Sequence, residues 1–228
     1  MEITVIRHTR VAVEPGICYG QMDVPPADTF VAEMNSLKEA LGPDLPESVR
    51  CSPLTRCTRL AEALAPGRWQ ADHRLLELSF GNWEGKHWQT IPRHESDPWM
   101  NNFVTLAPPG GESLQALYRR VTGFLESLPA AEDKPVLIIT HAGVIRCLRS
   151  YFLNIPLRHL FTIPVGHGEV FRATLGPRPE FKRIYTSRHQ IFRFSFVASP
   201  LAAALETPAR ASADATWGPL PQSDFCKT

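Results

Sequence analysis

The sequence predicts an α/β fold: a three-layer sandwich in which a mostly parallel open sheet is flanked by helices. Short apolar, β-branched segments of strand length alternate along the chain with longer segments of helical periodicity. This alternation is typical of parallel sheets with helical crossovers. The clearest buried strand pattern, KPVLIIT at 134–140, lies between two such helical segments. With 228 residues, 43% of them hydrophobic, the chain can bury one core of moderate size.

Four segments have the composition of strands. Residues 2–7, EITVIR, are apolar and β-branched, and residues 48–52, SVRCS, form a second short run. Residues 134–140 and 168–175, the latter GEVFRATL, are predicted as the other two. Residues 17–30 are rich in turn formers and predict an ordered loop between the first strand and the first helix.

Four segments have helical periodicity, at 28–41, 52–65, 112–128 and 142–153. In the second segment Ser52 is a good N-cap and Pro53 suits the first helical position, so we expect the helix to begin there. The third segment is strongly amphipathic, and its apolar stripe consists of Leu114, Leu117, Val121, Phe124 and Leu128. Residues 85–110 predict an irregular lid with short helical pieces.

The C-terminal part of the chain differs in composition. Residues 188–198 alternate like a strand, but beyond Pro200 the sequence is rich in Ala, Pro and Ser with little apolar bulk. Such a composition does not bury enough surface to order itself. We therefore expect a principal domain at 1–176 and a C-terminal extension at 177–228 that is poorly ordered or loosely packed.

Charge and composition exclude several classes of protein. The formal net charge is +1, so no global field attracts nucleic acid or an anionic membrane. No segment has the length of a transmembrane helix, and the N-terminal residues lack a signal-peptide pattern. The five cysteines are dispersed without a CxxC pair, which favours reduced thiols in a cytoplasmic protein. The histidines lack metal-ligand spacing, so no zinc site is predicted.

Two predicted strands end at a histidine, His8 after EITVIR and His141 after VLIIT. Ligands of open α/β sheets bind outside the carboxyl ends of the strands. If these strands are neighbours, both histidines enter one crevice together with Arg7 and with Arg56, on the first turn of a predicted helix. The helix N-termini after Ser52 and His141 would point N–H groups there. Guanidinium groups match phosphate oxygens, so the sequence predicts a phosphate pocket.

Four motifs carry a resemblance to a known family: RHT at 7–9, SPLTR at 52–56, LELSFGNWEG at 76–85 and LIITHAGVIR at 137–146. In this order, they resemble the motifs of the histidine phosphatase superfamily, also called the phosphoglycerate-mutase-like family. The resemblance implies a phosphoglycerate-mutase-like fold and a hydrolase of phosphoric monoesters. It also implies that residues 1–176 are the catalytic domain and that the extension is inessential to the chemistry.

The resemblance further implies a phosphohistidine mechanism that needs no metal or other cofactor. His8 would attack phosphorus and form a covalent intermediate, which water later hydrolyses. Arg7, Arg56 and His141 would hold the negative charge of the phosphoryl oxygens. Glu77 matches the family's general acid, which protonates the leaving group and then activates the water.

Other residues near these motifs have competing interpretations. Glu84 is the alternative acid, but we favour Glu77 and expect Glu84 to pair with backbone groups or an arginine. Glu112 is expected to be a helix-start residue. The tryptophans at 83, 88 and 99 are expected to pack in the core or lid, with stacking on a substrate ring as the minor alternative.

The sequence departs from the family pattern after His8. Thr9 replaces the usual Gly; its Cβ restricts the turn, although its hydroxyl can bond phosphate. The usual Thr and Asn a few residues later are replaced by RVAVEPG at 10–16. Gly20 is a candidate replacement, since its backbone N–H can approach a ligand closely.

The substrate prediction depends on fewer residues. GICYGQMDVP at 16–25 and THAGVIR at 140–146 resemble the branch of the family that acts on α-ribazole 5′-phosphate in cobalamin assembly. The resemblance implies α-ribazole 5′-phosphate, or adenosylcobalamin 5′-phosphate, as substrate. Two alternatives stay open: a phosphatase or mutase for a small sugar phosphate such as phosphoglycerate, and a non-catalytic phosphate-binding adapter.

Overall fold

The computed structural model describes residues 1–128 and 134–176, and its centre is an open sheet of five strands. In chain order the strands are β1 (Glu2–Arg7), β2 (Ser48–Cys51), β3 (Trp69–Ala71), β4 (Val136–Thr140) and β5 (Val170–Thr174). Their spatial order is β3-β2-β4-β1-β5. Strand β5 pairs antiparallel with β1, and the other pairs are parallel. The predicted mostly parallel sheet is therefore confirmed, whereas the short strand β3 was not predicted.

The helices are α1 (Phe30–Leu41), α2 (Thr55–Leu64), α3 (Arg93–Asn102), α4 (Leu114–Glu126) and α5 (Ala142–Leu153). Four of them confirm predicted helices, but the predicted start of α2 is wrong. The helix begins at Thr55, because the backbone of Leu54, its N-cap, is extended. The Ser52 hydroxyl accepts from the Leu54 N–H before the helix begins. Helix α3 lies in the segment expected to be irregular, which is therefore more regular than predicted.

The helices form a layer on each face of the sheet, as β4 shows. Its five residues are all buried. Val136 and Ile138 belong to a core that includes residues of α4 and α5. Leu137 and Ile139 belong to a second core that includes residues of α1 and α2. Since successive side chains of a strand point to opposite faces, the central strand is covered on both sides, which confirms the three-layer arrangement.

The tryptophans between α2 and α4 lie inside the first of these cores. Trp83 and Trp99 are essentially fully buried and Trp88 nearly so. The rings of Trp83 and Trp99 pack edge to face with centroids 5.5 Å apart. The expected role in core packing is confirmed, and burial excludes these three rings from stacking on a substrate.

The predicted C-terminal extension, 177–228, lies outside the described residues. Within the described chain, every helix is too short or too polar to cross a membrane.

Candidate active site

Two histidines leave the sheet side by side at the same edge. In the parallel pairing of β1 with β4, Arg7 is opposite Thr140, so His8 and His141 are the next residues on neighbouring strands. The backbone N–H of His8 donates to the Thr140 carbonyl over 3.0 Å. The two imidazole centroids are 5.1 Å apart, with an interplanar angle of 63°. The sheet register therefore brings the two histidines together, as the sequence predicts.

The His8 ring is held in one tautomer. Its Nδ1 lies 2.7 Å from the Thr9 carbonyl oxygen, and because a carbonyl only accepts, Nδ1 carries the hydrogen. This leaves Nε2 with its lone pair. The side chain is 1% exposed, and burial, followed by the charges of Arg7 and Arg56, holds the pKa of His8 well below its usual value. A neutral imidazole with an available Nε2 is a nucleophile without loss of a proton.

Arg56 reaches the same edge from the first turn of α2 and is fully buried. Its guanidinium donates to the carbonyls of Gly20, over 2.7 Å, and Met22, over 2.9 Å. The ring of Tyr19 lies 5.4 Å from the guanidinium carbon. Gly20 therefore lies at the site, but the contact that the structure describes uses its carbonyl and orients Arg56. The predicted phosphate contact through its N–H stays a prediction.

His141 is held between Arg56 and Ser52. Nε of Arg56 donates to Nδ1 of His141 over 3.2 Å, and Nε2 of His141 lies 2.7 Å from the Ser52 hydroxyl oxygen. Since Arg56 can only donate, Nδ1 is the acceptor and Nε2 carries the hydrogen. Burial and then the Arg56 charge hold the pKa of His141 well below its usual value. Ser52 is thus a site residue that sequence reasoning used only as a helix cap.

Arg7 is buried beside His8 and only partly satisfied. Nη1 donates to the Val165 carbonyl over 2.6 Å, and Nη2 donates to Nε2 of His167 over 3.0 Å. A further hydrogen bond joins Arg7 to Tyr19. Nε of Arg7 is buried without a partner among the described residues. An unpaired buried guanidinium N–H is a ready donor for an anion.

His167 is a third imidazole that the sequence prediction left without a role. Its ring centroid is 5.4 Å from that of His8. Because it accepts from Arg7, it is neutral in this arrangement. Burial, and then the charges of Arg7, Arg10 and Arg56, lower the pKa of His167 to about 3. His167 lies in a loop and belongs to no recognisable motif. Its position beside His8 follows from the antiparallel pairing of β5 with β1.

Glu77 meets the site at the start of α5. Both carboxylate oxygens accept from the Gly143 N–H over 3.1 Å, and one also accepts from the Leu78 N–H over 2.8 Å. A Cβ on Gly143 would lie 2.2 Å from the Glu77 carboxylate. The half-buried carboxylate therefore lies over the helix that begins directly after His141. Burial lowers the pKa of Arg7, and the negative charge of Glu77 opposes that shift.

A partly buried ion pair holds the Glu77 segment. Arg120 of α4 pairs with Glu112 and donates to the carbonyls of Leu76, over 2.6 Å, and Glu77, over 2.8 Å. Glu112 directly precedes the N-cap Ser113, which fits its expected place at a helix start. Its contact with Arg120 also helps to position the Glu77 segment. This role was not predicted, because a separation of eight residues does not by itself indicate a contact.

Glu84 is engaged with the backbone instead of the site. One of its oxygens accepts from the N–H groups of Gln21, over 2.9 Å, and Phe80, over 2.8 Å. These bonds join the loop after β1 to the loop after Glu77, and they fit the structural role expected of Glu84. In residues 1–128 and 134–176, no three His, Cys, Asp or Glu side chains are grouped in a way that could hold a metal ion.

The comparison with known proteins decides the family. Residues 3–186 match the sequence model of the histidine phosphatase superfamily, branch 1. The chain belongs to this superfamily. Among curated relatives, the adenosylcobalamin/alpha-ribazole phosphatase of Salmonella typhimurium is 28% identical over 176 residues, which cover 74% of this chain and 87% of the relative. As a member of a family whose named relatives are phosphatases, this histidine phosphatase is a hydrolase of phosphate monoesters.

Two further comparisons extend this result. The glucosyl-3-phosphoglycerate phosphatase of Mycolicibacterium vanbaalenii is 26% identical over 170 residues, 68% of this chain and 75% of the relative. The crystal structure of the alpha-ribazole phosphatase from Shigella flexneri superposes with a TM-score of 0.72 at 23% identity, over 82% of this chain and 97% of that one. The latter comparison supports the phosphoglycerate-mutase-like fold of this histidine phosphatase.

Proposed function

We propose that this histidine phosphatase hydrolyses α-ribazole 5′-phosphate, or adenosylcobalamin 5′-phosphate, through a phosphohistidine at His8. The observation that carries the mechanism is the pair of buried, neutral imidazoles 5.1 Å apart between the guanidinium groups of Arg7 and Arg56. The two arginines supply positive charge, and His8 supplies a nucleophile that is neutral beside them. This combination suits an anionic substrate attacked by a nitrogen.

In the first step, Nε2 of His8 forms a bond to phosphorus while the bond from phosphorus to the ester oxygen breaks. The Nδ1 hydrogen bond to the Thr9 carbonyl stabilises the positive charge that the ring acquires. Glu77 delivers a proton to the departing oxygen, so that the product leaves as a neutral alcohol and not as an alkoxide. The phosphoryl group is then bound covalently to His8.

Negative charge on the terminal phosphoryl oxygens is held by the two arginines. Arg7 offers its unpaired Nε. Arg56 is fixed by three hydrogen bonds, to Gly20, Met22 and His141, and two of its five N–H groups are left for the phosphoryl group. Such preorganised donors stabilise the transition state because they need no reorientation as charge develops. We propose that His141 acts in this site chiefly by holding Arg56.

In the second step, water attacks the phosphorus of phosphohistidine and the bond from phosphorus to Nε2 breaks. Glu77, now ionised, takes a proton from that water. Inorganic phosphate leaves, and His8 and Glu77 return to their starting protonation states. The cycle needs only the substrate and water, so this mechanism assigns no step to a metal or other cofactor.

The proposed substrate is supported by two observations. The relative from Salmonella typhimurium, named for adenosylcobalamin and alpha-ribazole, matches most of the chain. The segment at 16–25 that resembles this branch carries Tyr19 and Gly20, and both contact Arg56. A small sugar phosphate is the second candidate, favoured by the similarity to a glucosyl-3-phosphoglycerate phosphatase. We also propose that residues 1–176 hold all catalytic groups and that residues 177–228 are inessential to the chemistry.

The test is phosphate release from α-ribazole 5′-phosphate and from a panel of sugar phosphates, including phosphoglycerate, under the same conditions. We expect kcat/KM for α-ribazole 5′-phosphate to exceed that of every sugar phosphate by about tenfold or more. Contacts between the protein and the α-ribazole group in the transition state would raise kcat/KM for that substrate and not for a sugar phosphate. A sugar phosphate that is hydrolysed faster would replace the proposed substrate. Equal release by the native protein and by His8→Ala would overturn the mechanism.

A further inference from the structure

The hydroxyl of Thr9 has no hydrogen-bond partner among the described residues. The side chain is fully buried, at 0% exposure. Nearly all buried polar groups in proteins are paired, because an unpaired group loses its hydration without compensation. The described residues therefore leave the Thr9 hydroxyl free to bond a group outside them, and a bound anion is one such group.

Thr9 is fixed directly beside the proposed nucleophile. Its carbonyl accepts the 2.7 Å hydrogen bond from Nδ1 of His8, so the threonine backbone and the imidazole are held together. Thr9 is not among the residues with a positive φ. The expected restriction from its Cβ therefore causes no left-handed strain, and the backbone does not require the glycine of the family pattern.

A second unpaired polar atom lies on the other side of His8 in the chain. Nε of Arg7 is buried and also lacks a partner in the described chain. The guanidinium Nε can only donate, and a hydroxyl has one hydrogen to donate. One anion with several acceptor oxygens would satisfy both groups, and a phosphoryl group bound at Nε2 of His8 has three such oxygens.

We propose that the Thr9 hydroxyl donates a hydrogen bond to a terminal oxygen of the phosphoryl group held at His8 and Arg7. This inference rests on the proposed function, because it assigns a further contact to the same phosphate. It gives this chain a hydroxyl donor at a place where the usual Thr and Asn of the family are replaced by residues 10–16. Thr9 then makes two contacts: its carbonyl accepts from Nδ1 of His8, and its hydroxyl donates to the phosphoryl group.

Thr9→Val tests this assignment, because valine keeps the shape of threonine and removes only the hydroxyl. The readouts are the dissociation constant of orthovanadate, a phosphate-like anion, and the thermal midpoint of unfolding. We expect Thr9→Val to weaken orthovanadate binding about 10- to 100-fold, the loss typical of a hydrogen bond to a charged group. We expect its melting temperature to be equal to or above that of the native protein, because an unpaired buried hydroxyl has been removed.

Thr9→Ser and a matched control complete the experiment. Serine keeps the hydroxyl, so orthovanadate affinity should be restored to within about threefold of native. Ser96 of α3, outside the site, also has a buried hydroxyl without a partner among the described residues, and Ser96→Ala should leave orthovanadate affinity unchanged. If Thr9→Val fails to fold, Thr9→Ala compared with Thr9→Ser makes the same comparison.

The outcomes separate this inference from the proposed function. If the native protein binds orthovanadate and Thr9→Val binds it equally well, the Thr9 assignment is wrong and the phosphatase mechanism stands. A lower melting temperature with unchanged affinity would show that a buried water satisfies the hydroxyl, and would equally overturn the assignment. If the native protein neither binds orthovanadate nor hydrolyses phosphate esters, both proposals fall together.

Discussion

Nε of Arg56 donates a 3.2 Å hydrogen bond to Nδ1 of His141, and the far side of the same ring meets the Ser52 hydroxyl at 2.7 Å. The imidazole thus couples two segments that are distant in sequence, the start of α2 and the end of β4. Because both ring nitrogens are engaged, the tautomer, the ring plane and the direction of the guanidinium are fixed together. An arginine fixed in this way is preorganised for an anion.

Removing the Ser52 hydroxyl should loosen this arrangement. Ser52→Ala removes the hydroxyl oxygen 2.7 Å from Nε2 of His141 and leaves the more distant Cys57 sulfur, at 3.6 Å. The ring and Arg56 therefore lose part of their fixed orientation. We expect kcat/KM for a chromogenic phosphate ester to fall about tenfold, the equivalent of one hydrogen bond near 1.4 kcal/mol. Ser36→Ala is the control, because the Ser36 hydroxyl is exposed and bonds only within α1. Equal activity of the two variants would contradict the role of Ser52.

Gly143→Ala should displace the proposed general acid. The added Cβ would lie 2.2 Å from the Glu77 carboxylate, so the carboxylate must move. We expect kcat to fall about 100-fold or more, in keeping with the loss of a positioned acid–base group. The control is Gly123→Ala in α4, where a Cβ meets nothing within 4 Å. That variant should keep its activity and gain up to about 1 kcal/mol of stability from helix propensity.

The sequence predicts much of this site because strand ends are encoded locally. EITVIR and VLIIT are recognisable strands, each followed by a histidine, and one parallel register suffices to place His8 beside His141. The start of α2 was predicted too early because local capping chemistry favours Ser52. Its hydroxyl does accept from the Leu54 N–H, but Leu54 is extended, and the same hydroxyl also meets His141. Helix-capping propensity depends on the residues of one segment, so it does not include contacts with a residue from another strand.

The residues that the sequence did not reveal act through long-range contacts. His167 reaches the site because β5 returns antiparallel beside β1, and no local pattern marks a histidine in the preceding loop. Arg120 lies on the exposed side of a predicted amphipathic stripe, yet it holds the carbonyls at 76 and 77. Both contacts depend on the packing of whole elements, which periodicity does not specify.

His167 should matter as the acceptor that positions Arg7. In His167→Leu the Nη2 donor of Arg7 loses its 3.0 Å partner, so we expect weaker substrate binding, with KM raised about tenfold and a smaller change in kcat. His167→Gln keeps an acceptor and should recover most of the loss. Steady-state kinetics of both variants make the comparison. Identical kinetics for the two would show that the ring serves only as packing.

The three imidazoles should make the protein sensitive to acid. The folded-state pKa of His167 is lowered to about 3, and those of His8 and His141 are lowered in the same direction. Below about pH 6.5, where an unfolded histidine becomes protonated, the unfolded chain therefore binds more protons than the folded one. Stability should be greatest above that pH and fall as pH decreases from there toward 3.

Denaturant unfolding at a series of pH values measures this effect. Each buried histidine contributes at most about 1.4 kcal/mol per pH unit to the slope, and His167→Gln should reduce the slope by one such contribution or less. Stability that is unchanged between pH 7 and pH 5 would contradict neutral burial of these rings. The same low pKa predicts that His8 stays a competent nucleophile well below pH 6.5.

The most direct test of the mechanism is to trap the covalent intermediate. Native protein mixed with excess phosphate ester and quenched in alkali, then digested and analysed by mass spectrometry, should carry one acid-labile phosphoryl group on His8. The intermediate should form at least as fast as phosphate is released, and it should be absent in His8→Ala. A phosphoryl group on another residue, or phosphate release by His8→Ala at the native rate, would contradict the mechanism.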